Sequence, residues 1–312
     1  NNINLTGTSA QIAAAVDDVN TFSGSPTAAL SDAHTLAELK AINNAIGGTI
    51  TLNDASVSLS GSSSDVTAAL NGFTNYTGNV SLGDAHTLAQ LKTINNATSG
   101  SITLNDASVA LSGSSADIAA ALTGITSYTG TATLTSNHSL AELVTINNAT
   151  SGNITLNSSA LALSGSTSDI KAALAGNVGD TYSGNVTLSD ANSANIAAAD
   201  INTIAGDTSG TVTVTNNINI TGNSDVIATA VGNVDTFSGT PTATLGDAHT
   251  LAELKAINDA IDGTITLNDV TVALNGSSAD IAAALAGTFA VGYTGTATLT
   301  SNHTLAELKA IN

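Results

Sequence analysis

The sequence predicts an α/β repeat, a β/α solenoid of short parallel strands and short helices with about 52 residues in each two-coil module. Three observations predict it. The phrase GTITLNDASVSLSGSSSDVTAAL at 48–70 returns at 100–122, 152–174 and 263–285 with only conservative changes. The scarce residues keep step with it: all five histidines (His34, His86, His138, His249, His303) hold one module position, and four of five lysines (Lys40, Lys92, Lys255, Lys309) hold another. Finally, segments of period 2 alternate with segments of period 3.6, and each is too short to bury a core alone, the condition under which repeats stack on their neighbours. A longer period lies above the module. Residues 1–70 match 216–285 at about 50 of 70 positions, an offset of 215, so the reading is one continuous array over 1–312 with modules of about 52–57 residues and no separate domains.

The elements follow in order through residues 48–99. Ile50 and Leu52 alternate with Thr49 and Thr51 as a short strand with one apolar face. Asn53-Asp54 signals a turn, and Val57 and Leu59 alternate as a second strand that Gly61 ends. Ser62 or Ser63 caps a helix through Val66, Ala69 and Leu70, with Gly72 just past its end. A loop with Phe73 and Tyr76 leads to a third strand at Val80 and Leu82. Asp84-Ala85-His86 turns the chain again, and Thr87 opens a second helix through Leu88, Leu91 and Ile94. In other copies that helix starts Thr35-x-x-Glu38, Ser139-x-x-Glu142, Thr250-x-x-Glu253 and Thr304-x-x-Glu307, a capping box in which hydroxyl and carboxylate each satisfy an otherwise orphaned amide. A row of separate small α/β domains is the alternative, but the linkers are too short and apolar. At about 4.8 Å per coil, some twelve coils predict a rod on the order of 60 Å.

Composition excludes several functions. Charged residues are 9 %, far below the usual quarter, while 42 % are hydrophobic, which predicts a folded chain. A net charge of −19 with no arginine is unsuited to phosphate backbones or to an anionic membrane surface. Divalent cations remain open as partners. With no cysteine there is no disulfide framework and no thiolate site, and no run approaches the roughly 18 apolar residues of a membrane helix. The absence of methionine reads as a processed chain or a piece of a longer one.

The pattern (I/V)TL-x-D, then SGSSADIAAAL (112–122), then TLAELKAINNA (35–45) with ATSG (97–100) resembles the repeat arrays of giant secreted surface and filament proteins of marine cyanobacteria and proteobacteria, which carry similar ITGSAADL and LNxLDxxTxG phrases. The resemblance covers essentially the whole chain. It implies secretion and a surface, matrix or filament role, and it brings no catalytic residues. The strand-end aspartate of those arrays is replaced here by Ser158 and Asn302 in places.

Each candidate site competes with a structural reading. Asp54, Asp106 and Asp269, and likewise Asp32, Asp84, Asp190 and Asp247, recur at strand ends, where stacked carboxylates could bind Ca²⁺ through six to eight oxygens. They also serve as ordinary turn residues, and no EF-hand loop or glycine-aspartate nonapeptide accompanies them. Successive histidines lie two coils apart, about 9.6 Å, too far to share a zinc ion held at about 2.0–2.1 Å. Local packing is the expectation for them. Asn53, Asn105, Asn157 and Asn268 are expected to stack as an amide ladder. Threonines such as Thr211, Thr213 and Thr215 flank the strands and suggest a hydroxyl face like those of ice-binding solenoids. The aromatics, Phe22, Phe73, Tyr76, Tyr128, Tyr182, Phe237, Phe289 and Tyr293, share one loop and are expected to stack in a column. Asn-x-Ser/Thr triplets such as Asn75-Tyr76-Thr77 matter only where the host glycosylates asparagine.

No catalytic constellation is expected, because every candidate acid, base or nucleophile recurs in every module and an active site needs one particular pocket. The expected function is a structural segment of an extracellular filament, sheath or surface layer, with a calcium-dependent adhesin as the alternative and ice binding behind it. The expected partners are further repeats of the same chain or copies of it, end to end, since Asn1-Asn2-Ile3-Asn4 matches the interior Asn216-Asn217-Ile218-Asn219 and the last helix stops in mid-repeat. Neither nucleic acid nor membrane insertion is expected.

Overall fold

A computed structural model describes residues 2–19, 21–178 and 181–312. Short parallel strands alternate with helices throughout, as the sequence predicts, and twelve helices lie among the described residues. The chain forms two compact units, Asn1–Asn157 with Asn177–Gly179, and Ser158–Gly176 with Asp180–Asn312.

The first unit carries three parallel sheets of three strands. Asn4–Gly7, Thr27–Leu30 and Ile50–Thr51 make the first; Leu59–Gly61, Val80–Leu82 and Ile102–Thr103 the second; Leu111–Gly113, Ala132–Leu134 and Ile154–Thr155 the third. Register advances by one coil per strand, as in Leu59↔Val80↔Ile102. Every sheet ends on a two-residue strand, and a turn then carries the chain to the first strand of the next sheet. Coils with two short strands therefore alternate with coils that have one, which is the physical origin of a period that spans two coils. The helices Ser9–Asp17, Leu36–Ala45, Ser63–Leu70, Leu88–Ala97, Ser115–Leu122 and Leu140–Ala149 pack each against the next.

The second unit carries two four-stranded sheets: Leu163–Gly165, Val186–Leu188, Val212–Val214 and Thr236–Phe237 in one, Asn195–Ala197, Asn219–Gly222, Thr242–Leu245 and Ile265–Thr266 in the other. A pair, Leu274–Gly276 with Ala297–Leu299, follows.

Apolar side chains from strand and helix meet in the core of each coil. Leu59, Val66, Leu70, Val80, Leu82 and Ile94 form one such cluster with Tyr76. The four expected capping boxes are present, and Thr87–Gln90 and Thr8–Gln11 add two more. Gly72 and Gly124 end their helices at φ +85° and +75°, where a side chain would be strained. One element differs from expectation. Val57 precedes its strand, which begins at Leu59, because its carbonyl turns inward to accept a bond from Tyr76.

Candidate functional site

The seven aspartates fall into two groups. Asp54, Asp106 and Asp269 build local turns, each Oδ1 accepting from the backbone and hydroxyl two residues on (Ser56, Ser108, Thr271) at 2.8 and 2.6 Å. Those bonds, the hydroxyl first, hold the three carboxyls below their ordinary range. Asp32, Asp84, Asp190 and Asp247 reach farther. Each accepts from the first amide of the helix one coil earlier: Ser9 at 2.7 Å, Ser63 at 2.6 Å, Thr167 at 3.0 Å and Ser224 at 2.7 Å. A carboxylate there satisfies an orphan donor and favours the helix dipole. Among the described residues no group of three or more His, Cys, Asp or Glu side chains could hold a metal ion.

The same first-turn hydroxyl ties the coils together a second time. Ser9 Oγ donates to Glu38 Oε2 at 3.0 Å, and Thr35 N donates to that same oxygen at 2.8 Å. Ser115 with Glu142, Ser224 with Glu253 and Ser278 with Glu307 repeat the clasp. The bond from the Thr35 amide leads in holding Glu38 below its ordinary range; burial opposes it. Ser136 and Ser301 stand in for the aspartate where it is missing, each hydroxyl accepting from the helix amide. The signal for this clasp was in the sequence: the residue after each first-helix cap is always serine or threonine.

Three histidines pack across coils, not locally as expected. His34, His86 and His249 are each 3 % exposed, and their Nε2 atoms lie 3.0, 3.1 and 3.2 Å from the hydroxyls of Tyr76, Tyr128 and Tyr293. Those hydroxyls donate to Val57, Val109 and Val272 carbonyls at 2.5, 2.6 and 2.5 Å. Gly78, Gly130 and Gly295 sit so close to these carbonyls that a Cβ would collide with them. The expected aromatic column is thus corrected: each of these tyrosines pairs with a histidine ring, about 6 Å between centroids, because equivalent tyrosines are two coils apart.

The asparagine ladder is also corrected. No bond joins Asn53, Asn105, Asn157 and Asn268 to one another among the described residues; Asn157 donates to Asn137 and Asn268 to the Gly246 carbonyl. Asn53, Asn105 and Asn157 are successively two coils apart, beyond amide reach. The inter-coil amides lie instead at the helix ends: Asn43 donates to Ala68 and Asn71, Asn95 to Ala120 and Thr123, and Asn258 to Ala283 carbonyls.

Threonines do stand in register on one strand face, as in Thr187↔Thr213↔Thr236. In the other four-stranded sheet, Thr242 and Thr244 both donate to Asn219 at 3.1 Å, so their hydroxyls are engaged within the sheet.

A groove of about 810 Å³ lies beside the strand Ile50–Thr51 and is lined by Asn43, Thr49, Leu52, Asn71, Phe73 and Thr74 among others. Ile154 donates to Asn177, and Ile265 both donates to Thr288 and accepts from Ala290, at the corresponding edge. Ile50 has no such partner among the described residues. The loop 71–75 is two residues shorter than 286–292, and the missing residues are what would fill the edge.

No protein-family model, no curated protein and no solved structure matches this chain.

Proposed function

We propose that the chain is a non-catalytic structural segment of an extracellular array, a filament, sheath or surface layer, in which its coils continue against further repeats or further copies. One observation carries the reading. In module after module the polar side chains that could do chemistry (Ser9, Asp32 and Glu38; Ser63, Asp84 and Gln90; Ser224, Asp247 and Glu253) are bonded from coil to coil. Among the described residues no helix is long and apolar enough to cross a membrane. The acidic surface keeps such segments dispersed until they associate.

The test has two arms. Immunogold labelling of the producing cell is expected to place the chain outside the envelope. Sedimentation and electron microscopy of the purified chain at rising concentration are expected to show linear association that is indifferent to calcium. A cytosolic label, or a monomer at every concentration, contradicts the reading. Melting that calcium raises by many degrees favours the adhesin instead.

A further inference from the structure

Each cross-coil histidine has one ring nitrogen satisfied and one bare. The tyrosine hydroxyl spends its single proton on the valine carbonyl, so it accepts from Nε2–H, which fixes the neutral Nε2–H tautomer. Nδ1 of His34, His86 and His249 is buried with no hydrogen-bond partner. A further proton must go to that atom, placing a charge and a donor where no acceptor meets them.

The chain also shows that the pair is kept or discarded as a unit. Asp190-Ala191-Asn192 aligns with Asp32-Ala33-His34, and two coils after Asn192 the aromatic is Phe237. Where the imidazole is absent, the hydroxyl is absent too. The fold therefore accommodates a pair that cannot titrate, and it carries the titratable one elsewhere.

We propose that the histidine–tyrosine pairs are an acid-operated release, through which mild acid opens the coils that hold them while the carboxylate clasps are still ionised. The groups facing each imidazole are acidic: Asp54, Glu38 and Asp32 around His34, Asp106 and Asp84 around His86, and Asp269, Glu253 and Asp247 around His249, with the tyrosine as the neutral neighbour. Burial, the largest influence, lowers the imidazoles below their ordinary 6.5, and the carboxylates limit the drop. With the folded value below the unfolded one, stability is complete above pH 6.5 and is lost as pH falls toward the folded value. Burial pushes Tyr76 and Tyr128 up, so the phenols stay protonated throughout. Each imidazole adds its own destabilisation as it is forced to protonate, so the three act together in the same direction.

The experiment is urea unfolding from pH 8 to 5 of the whole chain beside a variant with His34→Asn, His86→Asn and His249→Asn paired with Tyr76→Phe, Tyr128→Phe and Tyr293→Phe. The natural chain is expected to lose stability steeply through this window and the variant to hold nearly level. Parallel loss in both overturns the proposal. Should the variant not fold, imidazole ¹⁵N shifts of the natural chain decide it. They are expected to remain those of the neutral Nε2–H form until the fold is lost. Smooth titration of these three rings near pH 6.5 within the folded protein overturns the proposal equally.

Discussion

Asp84, as a single residue, closes the helix of the preceding coil by accepting from the Ser63 amide at 2.6 Å. Asp84→Ala leaves that amide without its acceptor and is expected to cost about 1 kcal/mol, whereas Asp84→Asn keeps an acceptor and costs less; chemical denaturation of both variants checks the order. Thr98 carries more, because its hydroxyl donates to Gly78 O at 2.8 Å and accepts from Gly100 N at 2.9 Å inside the protein. Thr98→Val orphans both groups, and a loss of about 1–3 kcal/mol is expected. The carboxylate clasps set a second acid transition. Glu38 is held below its ordinary 4.5, chiefly by the Thr35 amide, so its contribution is complete above pH 4.5 and disappears as pH falls through the lower folded value. Glu38→Gln should flatten that lower step, and because the Glu38 charge also favours a protonated His34, it should deepen the histidine step. At this scale the sequence was half legible. Capping boxes are written in four consecutive residues and were read directly. The bonds of Ser9, Asp32 and His34 join residues 23–42 apart, and local sequence patterns do not show contacts at that distance.

At the scale of elements, strand and helix positions were legible because periods 2 and 3.6 are local properties. The side-step between sheets was not, since a strand as short as Ile50–Thr51 shows no period and its partner is chosen by the coil behind it. Loop length was visible but unused: histidine and tyrosine are 42 residues apart at His34–Tyr76 and 44 at His249–Tyr293. The extra two residues let Thr288 and Ala290 pair with Ile265, while the edge of Ile50 stays open on a groove. Replacing 71–75 with the sequence of 286–292 is therefore expected to stabilise the chain by about 1 kcal/mol, the net worth of a backbone hydrogen bond or slightly more, read as a higher urea midpoint. An unchanged or lower midpoint would mean that water serves that edge equally well.

For the whole molecule, the account holds that no module is indispensable, because fold and function are spread over equivalent coils that touch only their neighbours. Repetition was the most legible property of the sequence, and it made the α/β stacking readable before any single contact was known. Its consequence is open to direct measurement. Removing 100–151 joins Ser99 to Gly152 and brings Ile154 to the place of Ile102, with 52 residues gone and every inter-coil position refilled by its equivalent. Circular dichroism and urea unfolding of that shortened chain are the decisive observations. The account predicts the same spectrum per residue and a cooperative transition whose denaturant slope shrinks with the surface removed. A shortened chain that is unfolded, or that keeps helices without cooperative unfolding, would contradict it.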